Sequence, residues 1–151
     1  MTGKVLHWII KMIYLISLIV LILDLLTKNW AVSALTFGVP KAVFPFFNLT
    51  LVGNRGVSFS MFTANDQWGV WLLILFTVII CGFIIYLIQK EKDSFSKIAL
   101  AMVLGGASGN IWDRIHYGFV IDFLDFTGEN TTFQLLMLPT VLFLLASGYS
   151  Y

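Results

Sequence analysis

Five ionisable side chains stand inside or beside apolar runs of this 151-residue chain: Asp24, Lys28, Asp113, Arg114 and Asp122. Charges near membrane depth are costly unless paired or wet, so each is a candidate for function. Asp24 and Lys28 are four residues apart. On a helix they share a face and are expected to form an ion pair that anchors the helix end. Asp113 and Arg114 follow Asn110, and at least one of the two is expected to pair with a neighbour, which gives them a structural or positioning role. Asp122 differs, because Phe119, Val120, Ile121, Phe123 and Leu124 surround it and no cation lies nearby in sequence. An acid in such a setting tends to have a raised pKa. Two readings stay open for it: an acid that moves protons, or an interfacial residue exposed to water.

The elements that must hold these residues are set by composition. The chain is 59% hydrophobic and 11% charged, with a mean hydropathy of +0.92. A soluble domain carries about 25% charged residues, so a water-soluble globule is excluded and lipid must be part of the solvent. Four apolar runs approach the length that crosses a bilayer: residues 8–26, 68–88, 98–112 and 133–149. The third is rich in small residues from Gly105 to Gly109, which lets helix backbones approach closely. The fourth contains Pro139. The reading is therefore an all-α membrane protein, a single integral domain over residues 1–151. Its four transmembrane helices leave a small folded loop, residues 29–67, after the first. Within that loop, Val43 to Leu51 and Val57 to Phe62 read as short strands around Gly53 and Gly56.

The first run is not read as a cleavable leader, although Ala31 to Ala34 offers small residues, because Asp24, Lys28 and Trp30 intervene. Lys4 and Lys11 at one end, and Lys90, Lys92 and Lys97 after the second run, place both termini in the cytoplasm. Nine Lys plus Arg against eight Asp plus Glu give a formal charge of +1, so no basic field points to nucleic acid. Cys81 is the single cysteine and cannot form an intrachain disulfide.

The polar islands follow an order that single residues do not. They are Asp24-Leu25-Leu26-Thr27-Lys28, then Asn54-Arg55-Gly56-Val57-Ser58-Phe59-Ser60, then Gly105 to Arg114 with Asn110-Ile111-Trp112-Asp113-Arg114 at its end, then Gly118-Phe119-Val120-Ile121-Asp122-Phe123. Together they closely resemble the bacterial lipoprotein signal peptidases, the signal peptidase II family, over nearly the whole chain up to Phe126. The resemblance implies an intramembrane aspartic endopeptidase of the bacterial inner membrane. It cuts prolipoproteins just before a cysteine that carries diacylglycerol. In such a dyad two close carboxyl groups share a proton while one activates water. Asp122 matches the first dyad acid. Asn54, Gly56, Asn110 and Arg114 match groups that hold substrate or shape the site, and Asp24, Lys28 and Asp113 match supporting polar residues. No metal or organic cofactor is implied. The partners are a lipidated prolipoprotein and membrane lipid, with no nucleic acid and no second copy of the chain.

One motif departs from the family. The second dyad aspartate belongs to an Asn-x-Ala-Asp motif expected near Met137 to Thr140, but residues 133–140 read Phe-Gln-Leu-Leu-Met-Leu-Pro-Thr, and Glu129 is the only acid after Asp125. Permitted codons for residues 133–145, read one nucleotide earlier, spell Phe-Pro-Ala-Phe-Asn-Val-Ala-Asp-Cys-Ala-Ile-Phe-Ile, which contains the motif. Residues 127–151 are therefore read as out of frame, and the chain as written as impaired. Two alternatives remain: a small carrier or proton-relay protein whose acids line a wet path, and a family member that binds lipopeptides without cutting them.

Overall fold

The computed structural model describes residues 3–56, 67–128 and 131–134, with side chains placed at 11–56 and 67–126. Three long helices dominate: α1 at Gly3–Ala34, α2 at Gln67–Lys90 and α3 at Ser94–Tyr117. A four-stranded antiparallel sheet accompanies them, in the order β1 (Lys41–Phe44), β2 (Phe47–Asn54), β3 (Val120–Gly128), β4 (Thr131–Gln134).

Two helical stretches, Lys11–Ala34 and Gln67–Lys90, are long and apolar enough to cross a membrane. Their outer surfaces fit that solvent. Leu15, Leu18, Ile22 and Leu26 on α1, and Leu72, Leu75, Ile79 and Phe83 on α2, are all about half exposed. Such a surface would aggregate in water and is at home in hydrocarbon. The inward faces meet in one cluster in which Ile13 packs with Cys81, Ile84 and Ile88 and with Ala101, Leu104 and Ala107 of α3. α3 packs against both α1 and α2. Its small residues make this possible: a methyl group on Gly105 would sit 2.5 Å from the Ser17 carbonyl and 2.8 Å from Val20.

Helix ends follow local chemistry. Asp93 caps α3, its carboxylate accepting from the Ser96 amide at 2.7 Å, which satisfies one of the orphan donors of the first turn. Gly118 closes the helix with φ +76°, a left-handed conformation that an L side chain adopts only under strain. The chain then turns directly into β3.

Several expectations change. The first helix runs to Ala34 rather than stopping near residue 26, because no breaker occurs before Gly38, and Ala31 to Ala34 are helical residues. The third begins at Ser94 and continues past Trp112 to Tyr117. The single strand expected at 43–51 is two strands, since Pro45 and Phe46 form the turn that brings Phe44 opposite Phe47. The strand expected at 57–62 lies outside the described residues. So does most of the fourth run at 133–149, whose first two residues belong to β4. An all-α class is too narrow, because β3 and β4 come from a segment read as motif and helix start rather than as strand.

Candidate functional site

Two polar centres form where α1, α3 and the sheet meet. At the first, Lys28 near the end of α1 reaches Asp24 Oδ2 at 2.7 Å, Asp113 Oδ2 at 2.8 Å and Asn110 Oδ1 at 3.1 Å. Asn110, Asp113 and Arg114 fall on one face of α3 through their i, i+3, i+4 spacing. Asp113 also accepts the Ile121 amide of β3 at 3.1 Å. One lysine thus ties two helices, and its partner carboxylate ties the second helix to the strand. Lys28 is 6% exposed and Asp113 1%, so these charges are balanced by each other rather than by water. The expected Asp24–Lys28 pair is present, and Asp113 is the member of the Asp113–Arg114 pair that finds a cation.

The second centre is Asp122 on β3. It is buried, and its Oδ2 accepts the Asn54 side-chain amide at 3.3 Å. Asn54 Oδ1 accepts the Gly56 amide at 2.9 Å. That second bond fixes which end of the carboxamide faces Asp122: the donor end. Burial pushes the Asp122 carboxyl up to about 7, against a smaller lowering by Asn54 and by the charge of Lys28. An apolar setting with one neutral donor favours the protonated form. Near neutral pH this group can therefore give or take a proton. Asp113 and Asp24 add smaller upward pushes. Arg114 is buried in the same region of α3.

Asp122, Asn54 and Gly56 are thus brought together, with Asp24, Lys28, Asn110 and Asp113 forming the adjoining charge cluster. The stretch 133–140, where the second dyad acid is expected, carries no described side chains. Among the described residues no group of three or more His, Cys, Asp or Glu could hold a metal ion. One polar pair was missed from sequence: Thr50 donates its hydroxyl to Asp125 Oδ2 at 2.8 Å, and both residues are buried. The signal was a second acid three residues after Asp122 in an otherwise apolar strand.

Comparison with known proteins adds a family. The family model described as Signal peptidase (SPase) II matches residues 16–143. A lipoprotein signal peptidase of Polynucleobacter necessarius subsp. necessarius (strain STIR1) is 40% identical over 111 residues, covering 73% of this chain and 68% of that protein. One of Burkholderia mallei (strain SAVP1) is 43% identical over 116 residues, covering 74% and 68%. Two solved structures of a bacterial membrane enzyme, obtained by the in meso method at 2.3 and 1.9 Å resolution, superpose with TM-scores of 0.74 and 0.73 at 25% identity. They cover 91% of this chain and 84% and 88% of theirs.

Proposed function

The chain belongs to the signal peptidase II family, and on that premise we propose that it removes signal peptides from prolipoproteins, with Asp122 as one acid of a catalytic pair. The observation that carries the reading is the Asp122 carboxyl itself, buried, bonded to a single neutral amide and held near a pKa of 7. A group so placed can keep a proton for the scissile carbonyl or hold one released by water as it attacks. A partner acid completes the pair, since two adjacent carboxyl groups share one proton. Asn54 orients Asp122, while Gly56, Asn110 and Arg114 line the approach of the substrate backbone. Asp24, Lys28 and Asp113 hold the helices and strand that carry these groups.

The substrate is a membrane-borne peptide whose cysteine already carries diacylglycerol. The chain lies in the bacterial inner membrane as a monomer surrounded by lipid. It crosses more than once, with both termini and the short Lys-rich connection between α2 and α3 on the cytoplasmic side. The sheet, joined to the far ends of α1 and α3, lies on the opposite side with Asp122. The comparisons name peptidases and lend no support to a carrier, a binding-only protein or an inactive relative. Residues 133–140 lack the Asn-x-Ala-Asp motif, and a one-nucleotide shift would restore it.

The test is cleavage of a diacylglyceryl-modified prolipoprotein in lipid vesicles by the chain as written and by a version carrying the shifted-frame sequence from residue 127. Cleavage by the chain as written, abolished by Asp122→Asn, supports the reading and removes the frame shift. Cleavage by the restored version alone locates the second acid in the shifted frame. Failure of both overturns the peptidase reading. The gene sequence across codons 126–140 checks the frame independently.

A further inference from the structure

β2 and β3 pair with an irregularity that decides which face of the sheet each side chain occupies. Leu49 lies opposite Leu124 and Val52 opposite Asp122, so two residues of β2, Thr50 and Leu51, face one residue of β3, Phe123. That two-against-one arrangement is a β-bulge. Directly opposed residues of antiparallel strands share a face. With the bulge, Asn54 opposes Val120 and therefore stands on the same face as Asp122. Without it, pairing would continue as 51 with 122 and 53 with 120, and Asn54 would stand on the other face, with Ile121. One inserted residue thus decides whether the Asn54 amide can reach Asp122.

Gly53 confirms the phase. It opposes Ile121, and the Phe119 ring lies 2.8 Å from where its Cβ would be. The face shared by Gly53, Phe119 and Ile121 is filled, so Asn54 cannot turn there.

The bulge carries its own polar pair. Thr50, one of its two residues, donates to Asp125 Oδ2 at 2.8 Å across the strands, with Thr50 7% and Asp125 5% exposed. Asp125 Oδ1 is buried without a hydrogen-bond partner among the described residues. A carboxyl group buried with one oxygen unmatched costs stability, so packing alone does not account for it. We propose that Thr50 and Asp125 are positioning residues whose cross-strand hydrogen bond holds the β2 bulge and thereby keeps Asn54 on the Asp122 face. The inference rests on the reading of Asp122 as the reacting acid, but its geometry stands apart from turnover.

The test is an infrared titration of the full-length chain in lipid vesicles, following the protonated-carboxyl band that Asp122→Asn deletes. Among the described residues, Asp122 senses Asn54 from β2, Asp24 and Lys28 from α1, and Asp113 and Arg114 from α3, all of which the Thr50 variants leave in place. Thr50→Val removes the hydroxyl at nearly constant shape. It is expected to raise the Asp122 midpoint by about one to two units, the size of a lost hydrogen bond to a charged group. Asn54→Leu should give the same rise, the double variant no more than Asn54→Leu alone, and Thr50→Ser the parent midpoint. A folded Thr50→Val chain with the parent midpoint, or a rise that adds to that of Asn54→Leu, overturns the proposal. If Thr50→Val does not fold, Thr50→Ala is read in its place. Failure of both to fold, with Thr50→Ser folded, would mark the pair as purely structural and overturn it. The titration uses no substrate, so loss of prolipoprotein cleavage would sink the peptidase reading without touching this result.

Discussion

Asp113 and Asp122 are the same residue type, nine positions apart and almost equally buried, at 1% and 7% exposure, yet their surroundings differ in kind. Asp113 meets an ammonium at 2.8 Å and a backbone amide at 3.1 Å. Asp122 meets one neutral amide at 3.3 Å. The Asp113 carboxylate ties α3 to α1 through Lys28 and to β3 through the Ile121 amide, so the first centre holds structure. An undermatched carboxylate sits close to its protonated form, so the second is available for chemistry. Proximity sharpens the contrast, since the Ile121 amide that binds Asp113 belongs to the residue before Asp122.

The largest effect should come from unbalancing the matched centre. Lys28→Met leaves the buried Asp113 and the part-buried Asp24 without their cation, and breaking a buried pair from one side costs about 3–5 kcal/mol. The expected outcome is a large fall in the unfolding midpoint in detergent, or no folded protein, read by thermal melting and size-exclusion chromatography. Asp122→Asn should leave the fold intact. Equal damage from the two substitutions would erase the distinction between the centres.

Much of the matched centre was legible because its parts lie at helical spacing. Asp24 and Lys28 are four apart, Asn110 and Asp113 three apart, and apolar runs mark the helices that carry them. The polar order around Asn54, Asn110 and Asp122 was legible as a family pattern. The sheet was not. β3 reads as a short apolar run flanking one acid, and an apolar run of that length fits strand or helix equally until a partner strand is known. The bulge at Thr50 and Leu51 is invisible in sequence because it is a property of register between two strands more than 60 residues apart. For the same reason the bond from Thr50 was invisible, although Asp125 stands out as a second acid three residues after Asp122.

A second way to test the contrast is pH. The Asp122 carboxyl is raised to about 7 in the folded protein from an ordinary value of 3.8. Between those values the native state holds a proton that the unfolded chain has released. Stability attributable to this group is therefore greatest at low pH, falls as pH rises from about 4 to about 7, and levels off above. At 1.36 kcal/mol per pKa unit the full span is roughly 4 kcal/mol, an upper limit that water penetration reduces. The check is the unfolding midpoint of the parent and of Asp122→Asn across pH 4–8. The difference between the two curves should slope in this window, with the variant gaining relative to the parent as pH rises. Parallel curves would mean that Asp122 is ionised throughout and is matched as well as Asp113.

The smallest of these effects tests whether the two centres can be disturbed separately. Gly109 on α3 lies against Asp24, and a Cβ placed there would collide with the Oδ2 that Lys28 holds. The helices can separate only slightly, because the Gly105 backbone is in equally close contact one turn earlier. Gly109→Ala should therefore lower stability by about 1–3 kcal/mol through overpacking, seen as a reduced unfolding midpoint. Asp122 feels Asp24 only through space and more weakly than it feels its own burial or the Asn54 amide. Its titration midpoint in the same variant should move by less than the rise expected for Asn54→Leu. A large shift would mean that the α1–α3 spacing, rather than the sheet, sets the proton affinity of Asp122. The matched centre would then belong to the chemistry as much as to the scaffold.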